Sequence, residues 1–388
     1  MKFSLNSIVA KLTTALVFFI NPLSGIVMEG YFSFGKKKVS SFLVILISTF
    51  LGFLNTTKKY ESDLLTYFNE FQLAADLSFF EYLSSFGKDP IFYGAMYFFH
   101  WVGNFQIFIF FFTFLSYYFF LKAIRLFYQK TANDKEVFFA ILFATLFFEI
   151  FSLSAHLVRQ FLAFSILLYY LVNKVILEKN KWGYLIVAVF THTTMLFFLP
   201  LIFFPAVGKK INIQRGLAII IVLAIVIRTY QDLAIWYLQT TSSSNILTYL
   251  MERLSQKSIS DGIDVPKVLI GFNILVLVLA LLMNYVIKKK DLYHFNNCII
   301  FVTLLVLLTA ESHPLLSYRY GYLAYTFSAF LVPFFTSRKF VGSMISIIIK
   351  SLVTLVLLVN FVVKLENGVW EYIPMDKLIF KTTLNYFF

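Results

Sequence analysis

The chain has 388 residues, 60% hydrophobic and only 14% charged, which excludes an ordinary soluble domain and indicates an integral membrane protein. Its net charge of +13 does not point to nucleic acid, because Lys and Arg fall in short clusters between apolar runs, where they set orientation by the positive-inside rule. The single cysteine, Cys298, lies inside a predicted span and excludes a disulfide framework or a cysteine-based metal site.

Residues 8–27 form a first span, expected to target the protein itself because no small-residue cleavage pattern follows. Lys36-Lys37-Lys38 marks the cytoplasm and 39–56 crosses outward. Residues 57–103 are too polar to span throughout and are expected outside. Within them, 63–71 reads as a helix with Asp63, Tyr67 and Glu70 on one face at i, i+4, i+7. Asp89, suited to an N-cap, and Pro90, suited to a first turn, open another helix.

Span 104–121 returns inward to Lys122, Arg125, Lys130 and Lys135. Two further runs, 137–154 and 160–177, each approach the ~20 residues that a crossing helix needs. Between them lies the turn from Ser152 to Gln160, with Glu149 just before it, and its polar residues are out of place among lipid-like neighbours. A charge near membrane depth costs from ~2.5 kcal/mol upward, so such residues face a polar cavity or a partner. Arg159 is expected to grip an anion in a cationic pocket at one membrane face, the simpler reading being an arginine that snorkels to the interface.

Taking Lys288-Lys289-Lys290 as cytoplasmic, 268–287 descends, the loop 229–267 lies outside and 216–228 ascends. Both ends of 183–206 are then cytoplasmic, which makes it re-entrant, or two half-helices around Thr191-His192-Thr193-Thr194. Such breaks persist at membrane depth only where they line a cavity. The alternative is a simple crossing in which the positive-inside rule fails for one short loop. Spans 295–311, 317–335 and 341–363 complete an all-α, polytopic protein of about ten or eleven transmembrane helices. It reads as one integral membrane domain over 1–388, with outer-face loops at 57–103 and 229–267 and no repeat of 20–50 residues.

Three groups converge on the outer face: Arg159, Arg319, His156, His192 and His313; Glu61, Asp63, Asp89, Glu149 and Glu311; and the start of loop 229–267, with Tyr230, Asp232 and Trp236. Arginine holds phosphate oxygens in two-point contact, and a carboxylate beside a sugar hydroxyl serves as a general base. Simpler roles compete: Glu61 and Asp63 suit a helix N-terminus, and His192 suits a helix–helix hydrogen bond. Lys350 reads as a structural ion-pair partner, and Glu70, Asp76 and Glu81 as a solvated face. No two His stand at i, i+4 and neither HExxH nor DxD occurs, so no metal is expected.

In order along the chain stand Glu61-Ser62-Asp63 with Tyr67, Asp89-Pro90-Ile91-Phe92, Asn104-Phe105-Gln106, Arg159-Gln160-Phe161-Leu162-Ala163, Thr191-His192-Thr193-Thr194 and Ser317-Tyr318-Arg319-Tyr320. With these landmarks the chain resembles the EpsG/Wzy-type bacterial polysaccharide polymerases from about residue 40 to the tail. The resemblance implies a GT-C-like fold, no cofactor and no nucleotide sugar. It implies a multi-pass enzyme of the bacterial cytoplasmic membrane that joins oligosaccharide repeats carried on undecaprenyl pyrophosphate into O-antigen, capsule or exopolysaccharide. It assigns Arg159 and Arg319, with Gln160, His156, Asp89 and Tyr320, to pyrophosphate and glycan binding. Asp63 or His192 is then the base, supported by Glu61. Membrane lipid and a chain-length regulator protein are the expected partners. An O-antigen ligase-like transferase and a flippase of lipid-linked sugars are the competing readings.

Overall fold

A computed structural model describes residues 5–34, 39–131, 134–203, 205–211, 265–286, 290–310 and 314–367, with isolated positions between 218 and 236. All secondary structure among these residues is helical. Four helices are long and apolar enough to cross a membrane: Phe105–Gln129, Lys267–Val286, Leu292–Thr309 and Ser343–Glu366. A fifth results if the bent pair Glu136–Leu146 and Phe148–His156 is one span, and the chain is a multi-pass membrane protein. The ten or eleven spans expected from sequence also include shorter apolar helices such as Ser41–Thr56, and the stretch 216–228, most of which lies outside the described residues.

The chain forms two compact units, Met1–Met195 with Pro333–Phe388, and Leu196–Val332. In the first, α1 (Leu5–Ile20), α2 (Pro22–Phe34) and α3 (Ser41–Thr56) lead into three shorter helices, α4 (Asp63–Gln72), α5 (Phe79–Phe86) and α6 (Pro90–Val102). Then come α7 (Phe105–Thr131), α8 (Asp134–Leu146), α9 (Phe148–His156), α10 (Val158–Ile176) and α11 (Trp182–Thr191). The centre is α10, which packs on α7 and α11 while α7 packs on α3. Apolar almost all round, it buries nearly every side chain, as a helix without a polar face must. Gly52 of α3 faces α7 so closely that a Cβ there would stand 2.9 Å from the Phe110 ring, so only glycine fits without displacement.

Two breaks shape this unit. The run 137–154, which the sequence presents as one span, bends by 54° at Phe147, whose extended backbone separates α8 from α9. Neither proline nor glycine marks that bend. The segment 183–206 also breaks: α11 has ten residues, about 15 Å of helix, and stops at His192, which is extended at φ −151°. A 3-10 turn, Thr193–Phe198, follows, so the segment is divided at the Thr191–Thr194 stretch where the sequence suggested half-helices. Lys350 pairs with Glu136 of α8, the structural role expected of a cation in mid-span.

The second unit contains α12 (Leu199–Phe203), α13 (Lys267–Val286), α14 (Lys290–Thr309) and α15 (Pro314–Gly321), with most of α16 (Leu323–Phe335). The hairpin of α13 and α14 is held by buried asparagines. Asn284 Nδ2 donates to Asn297 Oδ1 at 2.8 Å, and Asn296 Nδ2 donates to the Ala280 carbonyl and to Asn284 Oδ1. Asn297 Nδ2 donates to the carbonyls of Val207 and Lys209 at 2.6 and 2.8 Å. Helical structure stops at Gly208, which leaves these carbonyls to be met by the side chain. Replacing Asn297 with Leu is expected to cost about 2 kcal/mol, three side-chain hydrogen bonds at roughly 0.6 kcal/mol each. It is measured as a lowered unfolding midpoint in detergent; an unchanged midpoint would show that the asparagines do not clamp the hairpin.

Candidate functional site

The site begins at Asp89. Its backbone is left-handed (φ 50°), a conformation asparagine and aspartate tolerate better than most side chains. Asp89 stands at the N-cap of α6, as the sequence suggests, yet makes no side-chain cap bond to that helix. Its carboxylate instead serves the break after α11. Oδ1 accepts the Thr193 N–H and the Thr193 hydroxyl, both at 2.7 Å, and Oδ2 meets His192 Nδ1 at 3.1 Å. Breaking α11 at His192 leaves a backbone N–H that a buried site must satisfy, and Asp89 does so from another helix.

Asp89 is fully buried, which alone would raise its proton affinity. The His192 hydrogen bond and charge, the nearby Arg159 charge and the Thr193 N–H outweigh that burial and hold its carboxyl down at about 2. Asp89 is therefore a permanent anion over the ordinary pH range.

Arg159, in the first turn of α10, is the second member of this pair. Its Nη1 donates to Asp89 Oδ2 at 3.1 Å and to the Tyr93 hydroxyl at 2.8 Å. The guanidinium carbon lies 5.5–5.8 Å from the ring centroids of Tyr67, Phe92 and Tyr93, a cation–π cradle built by α4 and α6. Phe86 stacks on the Tyr93 ring at 3.8 Å and fixes its plane. The expected cation is thus already neutralised by Asp89, although 15% of the Arg159 side chain stays exposed. Among the described residues only Nη1 hydrogen-bonds. Nε and Nη2 are left to make the two-point contact of which a guanidinium is capable.

On the same side, α4 presents Asp63, Tyr67 and Glu70 on one face, as their spacing predicted; Tyr67 is buried and the two acids are half-buried. Glu61 is exposed beside Ser62, whose φ of 53° is unusual for serine. The expectation that Glu70 belongs to a solvated face is corrected. Its Oε1 meets the Tyr93 hydroxyl at 3.5 Å, and its Oε2 is buried without a hydrogen-bond partner among the described residues. Glu81, by contrast, is exposed and caps α5 through Ser78.

His156, at the end of α9, does not stand alone. The buried Lys58 places Nζ 3.1 Å from His156 Nδ1 and donates to the Ala155 carbonyl. Burial pulls Lys58 down to about 8, opposed by the charges of Asp63 and Glu61. Gln160 is buried in the first turn of α10. Arg319 and Tyr320 belong to α15 of the second unit, where Arg319 is half-buried and Tyr320 packs on Phe197 and Phe198. Glu311, His313, Tyr230 and Asp232 lie outside the described residues.

In the first unit the structure brings together Asp89, Arg159 and His192, and sets Glu70 of α4 beside Arg159. Sequence reasoning missed Tyr93, Thr193, Lys58 and Glu70. Tyr93 carried a signal in standing four residues after Asp89 on one helical face, Glu70 in sharing the spacing of Asp63 and Tyr67, and Thr193 in belonging to the Thr191–Thr194 stretch; Lys58 carried none. No cluster of three metal-ligating side chains occurs among the described residues.

A family model described as the EpsG family matches residues 41–373 of the chain. No curated protein and no solved structure matches it.

Proposed function

The chain belongs to the EpsG family, linked to exopolysaccharide synthesis, and from that premise we propose that it is a polymerase of lipid-linked oligosaccharide repeats. The repeats are carried on undecaprenyl pyrophosphate and joined at the outer face of the bacterial cytoplasmic membrane. The growing glycan leaves its lipid pyrophosphate and passes to a hydroxyl of an incoming lipid-linked unit. One observation carries the reading: Arg159 is held rigidly through Nη1 by Asp89 and Tyr93, with Nε and Nη2 unengaged among the described residues. That arrangement suits a leaving diphosphate, whose charge grows as the glycosidic bond breaks, and a preorganised donor lowers that barrier most.

Asp89 and Tyr93 orient Arg159, and His192 with Thr193 fixes Asp89. Arg319 and Tyr320, in the second unit, are proposed to bind pyrophosphate or glycan. Asp63, Glu61 and His192 remain the sequence's proposals for the acceptor side. A chain-length regulator and membrane lipid are proposed partners, and no group in this mechanism requires a cofactor.

Deleting the protein from its host is expected to abolish long polysaccharide while single lipid-linked repeats accumulate at the outer face. Repeats trapped on the cytoplasmic face would contradict the reading and indicate a flippase. Long polymer left on its lipid carrier would likewise contradict it and indicate a ligase.

A further inference from the structure

Two carboxylates, Asp89 and Glu70, flank the Arg159 cradle, with Asp63 further along α4, and the three differ in what they can do. Asp89 is saturated, with four donors on two oxygens, and a carboxylate so engaged is a poor base. Asp63 lies within electrostatic reach of the Lys58 ammonium. Glu70 has one long contact, from the Tyr93 hydroxyl to Oε1 at 3.5 Å, and a buried Oε2 that no hydrogen bond satisfies among the described residues. A polar atom shut away from water without a partner costs roughly 1–3 kcal/mol, so its persistence calls for a use.

We propose that Glu70 takes the proton from the acceptor hydroxyl during glycosyl transfer. The proposal rests on the polymerase reading and deepens it at the same site. Tyr93 connects the two ends: its hydroxyl receives Arg159 Nη1 at 2.8 Å and points to Glu70. Glu70 therefore stands one side chain away from the guanidinium that holds the leaving diphosphate, where the acceptor must approach the anomeric carbon. Tyr67, one turn earlier on α4, lies against the same guanidinium.

The charged and titratable groups around Glu70 support the assignment. Burial raises its carboxyl, opposed by Arg159 of α10, by Lys88 and by the Tyr93 hydrogen bond of α6, while Asp63 on its own helix adds to the rise. Tyr82 of α5 donates to the Glu70 backbone carbonyl and leaves the carboxylate untouched. In the step, the acceptor oxygen forms a bond to the anomeric carbon as the bond from that carbon to the phosphate oxygen breaks. The bonding pair leaves with the lipid diphosphate, and the hydroxyl proton moves to Glu70 and then to solvent. Every atom and charge is accounted for without a co-reactant.

The test uses full-length protein in nanodiscs with lipid-linked oligosaccharide extracted from the native membrane, and follows initial rate against pH for wild type and Glu70→Gln. Glutamine keeps the volume and the acceptor for Tyr93 but cannot take up a proton. A merely structural Glu70 therefore tolerates it. The expected result is a fall of about 10²–10³-fold in rate with loss of the acidic limb of the profile. A variant within about threefold of wild type, with the wild-type profile, overturns the assignment and leaves the polymerase standing. If wild type itself forms no product, the polymerase reading fails and Glu70's role falls with it. Should Glu70→Gln not fold, Glu70→Asp replaces it: a slowed rate with a displaced acidic limb supports the proposal, and an unchanged rate and profile overturn it.

Discussion

Asp89→Ala is expected to destabilise the protein by about 3–5 kcal/mol, the usual result of removing one partner from a buried ion pair. Four donors lose their acceptor together: Arg159 Nη1, the Thr193 N–H, the Thr193 hydroxyl and His192 Nδ1. The break after α11 then has nothing to hold its free N–H. Asp89→Asn is expected to cost less, because the amide oxygen still accepts from Thr193, although its NH₂ opposes the guanidinium. Thermal unfolding in detergent measures both.

The same residue predicts a pH dependence. Its folded pKa of about 2 lies below the ordinary 3.8, so the ionised form is favoured by folding. The stability it contributes, about 2 kcal/mol by linkage, is fully present above the unfolded value and disappears as pH falls from about 4 through 2. The difference in stability between wild type and Asp89→Asn should therefore be flat above pH 5 and shrink below pH 4. A difference that stays constant to pH 2 would place the carboxylate outside the network described here.

The second large effect is catalytic. Arg159→Lys keeps a positive charge for Asp89 and a stem of similar length, so the protein is expected to fold. A lysine ammonium is a single point of charge and cannot both hold Asp89 and Tyr93 and offer a planar fork to a diphosphate. Polymerisation is expected to fall about 10²-fold or more, the scale of losing one preorganised donor. A lysine variant with full activity would show that Arg159 serves only as the structural partner of Asp89.

How much of this was legible depends on whether a signal lies along the chain or across it. The α4 face with Asp63, Tyr67 and Glu70 was visible because helical spacing is a local pattern, and Arg159 was visible because a charge in an apolar run stands out. The interruption at Thr191–Thr194 was suggested by charge bookkeeping across several loops. What Asp89 does was not visible: Asp before Pro reads as a cap for its own helix, while its actual partners come from α10 and α11. The bend at Phe147 left no trace because Leu146, Phe147 and Phe148 carry no helix-breaking chemistry. Glu70 looked solvated because a carboxylate in a polar-faced helix outside the spans reads as exposed. Its surroundings are set by Tyr93 and Arg159, which only the packing of α4 against α6 and α9–α10 brings near.

The central claim is tested most directly by supplying the purified protein in nanodiscs with lipid-linked oligosaccharide extracted from the native membrane, without nucleotide sugar, and separating the products by size. A ladder of glycans growing by whole repeats, with free lipid diphosphate released in step, is the predicted result. Glycans that stay one repeat long, in protein shown to be folded and to contain its substrate, would contradict it.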